Sequence, residues 1–90
     1  MRLVMAGGER VVLIRIGDDY YAVGWLCSHA FGMLQEGELH GYEVQCPIHQ
    51  GRFDVRSGQP TREPPEEPIP TYSVRVVGDD VYVGPRGIAD

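Results

Sequence analysis

The sequence predicts an all-β fold, a small antiparallel sandwich or barrel. Three observations carry that expectation. Short apolar runs rich in β-branched residues recur along the chain, each closed by glycine or aspartate. No segment repeats its apolar residues at helical spacing. The length, 90 residues, allows one domain, expected to span 1–90, whose modest core suits support from a metal or another staple.

The elements follow in chain order. Leu3 to Met5 reads as one short strand. Arg10-Val11-Val12-Leu13-Ile14-Arg15-Ile16 is a β-branched run, Gly17-Asp18-Asp19 is turn chemistry, and Tyr20-Tyr21-Ala22-Val23 resumes extended structure, so the two runs form a hairpin. Glu38 to Gln45 reads as a smaller hairpin turning at His40-Gly41. Arg52-Phe53-Asp54-Val55 is short and extended, and Arg56-Ser57-Gly58 turns. Residues 59–70 hold five of the seven prolines: Pro60, Pro64, Pro65, Pro68 and Pro70. Such a stretch is neither helix nor central strand, and its length inside so small a domain marks a functional loop. Thr71 to Val77 alternates, Gly78-Asp79-Asp80 turns, and Val81-Tyr82-Val83 returns as a second hairpin, with 84–90 expected to fray.

Net charge is −5. All eight basic residues are arginine and none lie in a stripe, which excludes nucleic acid as a partner. An acidic chain of this kind fits a carrier that docks on a basic surface. No apolar run is long enough for a secretory signal or a membrane span, so the expected compartment is the cytoplasm and no membrane is involved. In a reducing cytoplasm two cysteines with histidines beside them are ligands rather than a disulfide.

Those residues are Cys27-Ser28-His29 and Cys46-Pro47-Ile48-His49, separated by residues 30–45. Each group places a thiolate and an imidazole on one tight loop. Two such loops face to face supply two sulfur and two nitrogen ligands, a set that suits tetrahedral zinc or an iron–sulfur centre. Zinc fingers commonly group like ligands, whereas here each loop gives one of each. That arrangement lets both thiolates hold one iron of a two-iron centre and both histidines the other.

The paired motif resembles the two cluster loops of the Rieske family. Gly51, Phe53-Asp54, Ser57-Gly58 and the prolines from Pro60 onward are similar to the segment after the second loop in Rieske ferredoxins of bacterial ring-hydroxylating dioxygenase systems. The resemblance runs from about Val11 to Val83. It implies a cluster-binding subdomain with loops at about 25–34 and 45–54, and one Rieske [2Fe–2S] cluster held by Cys27, His29, Cys46 and His49. It also implies an electron carrier rather than an enzyme, probed by two partners: a flavin (FAD) ferredoxin reductase that uses NAD(P)H and loads the electron, and a terminal oxygenase that takes it. A monomer is expected. The imidazoles of His29 and His49 are the implied exit for the electron, with Trp25, Phe31, Pro47 and the proline loop screening the rest.

Departures from the family pattern narrow the subtype. High-potential Rieske proteins carry a further cysteine in each loop, joined as a disulfide. Gly32 or its neighbours and Ile48 stand at the comparable positions and offer no thiol. Those proteins also set serine and tyrosine hydroxyls near the cluster where this chain has Gly51 and Phe53. Without two such donors the reduced state loses stabilisation, which predicts a potential at the low end of the range, on the order of −150 mV. Ferredoxins of this kind have a strand before the first one legible here. Its absence would leave a sheet edge open, unless the chain's true start lies upstream.

Two other readings compete. One is a zinc-stabilised β module that binds a protein partner, and the other is a Rieske-like small subunit of a larger reductase. His40 is the one histidine outside the motif and reads as solvated, so a mononuclear iron site with two histidines and a carboxylate cannot be assembled. Glu63, Glu66 and Glu67 read first as a solvated loop face, and Asp18-Asp19 and Asp79-Asp80 as turn residues.

Overall fold

The computed structural model describes residues 1–28, 32–48 and 50–86. Nine strands form two antiparallel sheets among these residues. The base sheet holds β1 (Arg2–Ala6), β2 (Glu9–Ile16), β3 (Asp19–Gly24), β8 (Thr71–Val77) and β9 (Asp80–Arg86), in the order β1-β2-β3-β8-β9. The small sheet holds β4 (Glu38–His40), β5 (Glu43–Gln45), β6 (Arg52–Asp54) and β7 (Pro60–Arg62) in sequence order. It is inserted between β3 and β8 and carries the cysteine loops. A single 3-10 turn, Leu34–Glu36, precedes β4.

The β2–β3 and β8–β9 hairpins lie where the turn chemistry placed them. Gly17 at φ 63° closes β2–β3 and Gly78 at φ 61° closes β8–β9, a left-handed conformation that glycine adopts without a Cβ penalty. In β4–β5 the turn falls on Gly41-Tyr42, one residue later than expected, with Gly41 at φ 61°. Two differences from the sequence reading have clear causes. Pro60–Arg62 pairs with β6 as a strand inside the proline stretch; β7 is the outer strand of its sheet, where a missing proline N–H costs no ladder bond. β9 runs through Arg86 because Tyr72↔Arg86 pairing extends the hairpin past a register shift between Tyr72 and Val74, so Gly84 to Arg86 is strand rather than frayed tail.

β1 is a terminal strand of the base sheet, and β9 is the other. The two outer strands approach each other, curling the sheet toward a barrel.

Strand β2 is buried on both faces, which explains why its sequence is a continuous apolar run instead of an alternation. Val11 and Leu13 face a small core with Ala22, Tyr72, Val74 and Val83. Val12 and Ile14 face the main core, which they share with Val23 from β3 and with Cys27, Leu34, Val44, Cys46, Phe53, Val55 and Ile69. The main core therefore joins the base sheet to the inserted sheet and contains both cysteines.

A polar and aromatic group ties the same two sheets at the surface. Arg56 donates to both carboxylate oxygens of Asp54, at 3.0 and 2.8 Å, and its guanidinium lies 4.2 Å from the Tyr42 ring centroid. Tyr42 in turn meets Tyr21 of β3 edge to face, centroids 5.9 Å apart. The Arg56 side chain, aided by backbone N–H donors, holds the Asp54 carboxyl below its ordinary value against a smaller opposing effect of burial. A depressed native pKa means that this pair stabilises the fold above the unfolded value near pH 4, and that the contribution is lost as pH falls through the lower native value. Asp54→Asn is expected to cost about 1 kcal/mol at neutral pH, a figure reduced by the exposure of Arg56. The gap between the urea midpoints of wild type and variant should narrow as pH falls below about 4; a gap that stayed constant with pH would rule the linkage out.

Candidate metal centre

The first cysteine loop leaves β3 at Gly24, whose N–H donates to Pro70 O at 2.8 Å. Leu26 bridges to Met33, Leu34 N–H donates to Trp25 O at 2.8 Å, and Cys27 N–H donates to Gly32 O at 3.0 Å. The loop is thus closed by its own backbone, with Cys27 at its inner end, 4% exposed. The second loop joins β5 to β6. Cys46 N–H donates to Gly51 O at 2.7 Å, and Ile48 N–H points at Cys46 Sγ at 3.4 Å. Gln50 turns this loop with φ 58°, an uncommon conformation for a residue other than glycine. Cys46 is fully buried.

The two loops face each other. The Cys27 and Cys46 thiols are neighbours in the buried main core and are not paired as a disulfide. A Cβ built on Gly32 would stand 3.6 Å from Ile48 Cβ and against Cys46 Sγ. The positions compared with the extra cysteines of high-potential proteins are therefore direct neighbours across the loops, occupied here by glycine and isoleucine. Of the four residues expected to bind the cluster, the structure brings Cys27 and Cys46 together. His29 and His49, like Phe31, lie outside the described residues.

The sulfur environment suits a metal. Burial, outweighing the Ile48 N–H and reinforced by Cys27, pushes the Cys46 thiol up to about 11. A sulfur so enclosed keeps its proton at neutral pH unless a cation takes the proton's place, and the Ile48 N–H is already aimed to stabilise the anionic form. Two neighbouring thiols in one apolar core fit one iron of a two-iron cluster.

Around the loops, Trp25 is half-buried against the main core, with the Arg10 guanidinium 5.0 Å from its ring centroid. Met33, Pro47 and Ile48 are exposed, and the carboxylates of Glu63, Glu66 and Glu67 face solvent. His40 is exposed and lies 3.5 Å from Glu38. Two contacts escaped the sequence reading: Pro65 packs on Gly51, and Ser28 Oγ donates to Glu67 O at 2.6 Å. Thirty-nine positions separate Ser28 from Glu67, and no local pattern announces such a bond.

Gly51 and Phe53 bring no hydroxyl to the core that holds the cysteines. A side chain at Gly51 would collide with Pro65, so a serine hydroxyl has no room there. Phe53 is fully buried in the core that holds both cysteines and brings no hydroxyl. Phe53→Tyr adds one donor to this environment. A charge-assisted hydrogen bond to sulfur of about 1.4 kcal/mol raises a one-electron potential by about 59 mV. A redox titration of the variant should show an upward shift of that order; no shift would detach Phe53 from control of the potential.

A base sheet bearing an inserted small sheet, with two buried thiols on its facing loops, suits a small metal-centre protein. Residues 1–73 match the family model described as Rieske [2Fe-2S] domain. The chain is 40% identical over 79 residues to the anthranilate 1,2-dioxygenase ferredoxin subunit of Burkholderia cepacia, covering 88% of this chain and 73% of that protein. Among solved structures it resembles the ferredoxin of carbazole 1,9a-dioxygenase from Nocardioides aromaticivorans IC177, with a TM-score of 0.90 and 42% identity over 93% of this chain and 83% of that one. It also superposes on a chain in a complex of reduced oxygenase and oxidized ferredoxin in carbazole 1,9a-dioxygenase, with a TM-score of 0.87 and 36% identity over 92% and 78%. The chain belongs to the Rieske [2Fe–2S] domain family, and its cofactor is the [2Fe–2S] cluster of that family.

Proposed function

We propose that this protein is the ferredoxin component of an aromatic-ring dioxygenase system and that Cys27, His29, Cys46 and His49 hold its cluster. The meeting of the Cys27 and Cys46 thiols in the buried core carries this reading. The bound cluster supplies a centre that accepts and gives up one electron at a time. The chain's own residues do the rest. Val44, Phe53 and Leu34 surround the thiols with apolar side chains and keep water from them, and the Ile48 N–H stabilises the Cys46 thiolate. The chain acts as a carrier and performs no chemistry on a substrate, in keeping with relatives that are ferredoxin components. One of the similar solved chains comes from a complex with its oxygenase, which supports docking on a terminal oxygenase. Family membership leaves the zinc module without support.

The finer assignments rest on chemistry. An FAD reductase using NAD(P)H loads the electron, because a two-electron donor needs a flavin to pass electrons singly. The protein works as a monomer in the cytoplasm, where a reducing poise keeps Cys27 and Cys46 available for iron. Its contact with partners is brief and small, below about 1,200 Å². The 90 residues act as one domain, since the main core draws on both sheets.

The test is spectroscopic and kinetic. The purified protein should be red-brown. Reduction should give a rhombic EPR signal whose average g lies below that of all-cysteine clusters. Stopped-flow mixing should show reduction by such a reductase and reoxidation by an oxygenase. A colourless protein with one zinc per chain would end this reading.

A further inference from the structure

The segment between β7 and β8 is fixed at both ends. Before it, β7 pairs with β6. After it, Ile69 is buried and donates its N–H to Gly58 O at 2.9 Å, and Pro70 O accepts from Gly24 at 2.8 Å. Residues 63–68 span the gap and meet both cysteine loops. They meet the second through packing: Pro65 is buried against Gly51, the residue whose carbonyl holds Cys46 N–H. They meet the first through a directional bond from Ser28 Oγ to Glu67 O, 2.6 Å long.

Ser28 and Glu67 are both exposed, so burial does not hold them together. Ser28 is also the immediate neighbour of Cys27. A serine hydroxyl has one proton to donate. With that proton on the Glu67 carbonyl, the hydroxyl is not a donor to sulfur.

We infer that Ser28 is a positioning residue whose hydroxyl clasps the proline segment 63–68 onto the first cysteine loop, closing the thiol site to water and to small chelators. The inference rests on the reading of Cys27 and Cys46 as cluster ligands. Pro65 on Gly51 and Ser28 on Glu67 are the two sides of one closure, one apolar and one polar. Releasing the polar side frees the backbone at 66–68 while the apolar side keeps the segment near.

The experiment compares cluster-loaded wild type, Ser28→Ala and Ser28→Thr. Its readouts are amide hydrogen exchange at Glu66 and Glu67, the rate of bleaching by EDTA, and the midpoint potential. Loss of one neutral hydrogen bond, about 1 kcal/mol, should speed exchange and bleaching in Ser28→Ala about fivefold. Ser28→Thr should restore both, and the potential should stay at the wild-type value. Unchanged exchange and bleaching in Ser28→Ala would overturn the clasp. So would a fall in potential of about 59 mV, a tenfold change in the redox equilibrium, because it would make the hydroxyl a sulfur donor.

If Ser28→Ala does not load, Ser28→Thr and Ser28→Val make the same comparison at nearly constant shape. Faster bleaching or failed loading in Val alone supports the clasp, and equal behaviour of the two overturns it. Wild type that holds two irons yet cannot reduce an oxygenase would defeat the proposed function and leave this inference intact. Wild type that holds no iron would defeat the ligand reading on which it rests.

Discussion

Cys46→Ser is expected to yield a colourless protein with iron and acid-labile sulfide near zero. Cys46 is fully buried, shares the main core with Cys27, and receives the Ile48 N–H. Serine keeps the size but replaces a soft, ionisable sulfur with an oxygen that iron–sulfur clusters seldom use and that keeps its proton far more tightly. The substitution should disturb the metal-free fold little, because the cavity hardly changes. Far-UV circular dichroism of metal-free variant and metal-free wild type should therefore agree, while the visible bands disappear from the variant alone. A Cys46→Ser protein with full colour and two irons per chain would remove Cys46 from the ligand set.

Phe53→Ala should be the most destabilising substitution in the core. Phe53 heads the fully buried side chains by volume, and it packs with residues from both sheets and with both cysteines. Truncation of a buried phenylalanine costs about 3–5 kcal/mol. A chain of this length has a total stability of about 5–13 kcal/mol, at about 0.05–0.15 kcal/mol per residue. The variant therefore forfeits a large part of its margin, and the loss should show as a lower urea midpoint in the metal-free form. Cluster retention should fall as well, since the cavity opens beside the cysteine loops. An unfolding free energy within about 1 kcal/mol of wild type would mean that Val44, Val55 and Ile69 collapse into the space.

The contrast between these side chains explains what the sequence could disclose. Hairpins β2–β3 and β8–β9 were legible because their signals are local: β-branched runs and a glycine at a left-handed turn. Cys27 and Cys46 were legible because a thiol followed closely by an imidazole, twice, has few other uses. The edge strand β7 was not legible, because proline argues against strands in general and only the sheet order reveals that this one is outermost. The extension of β9 to Arg86 depended on pairing with Tyr72, fourteen positions away, across a register shift. Ser28 on Glu67 and Pro65 on Gly51 are products of tertiary closure and leave no trace in local composition. The main core could be guessed in part. Val12, Ile14 and Phe53 stand in apolar runs, but Ile69 is flanked by prolines and is buried only because the chain returns there to meet Gly58.

Trp25 has a practical consequence. It is the single tryptophan of the chain, held against the core that encloses both sulfurs and two positions before Cys27. A lone indole so close to a coloured iron centre loses its excitation to that centre. Fluorescence should be dim in the loaded protein and brighten as iron departs, giving a built-in gauge of cluster occupancy without any added label.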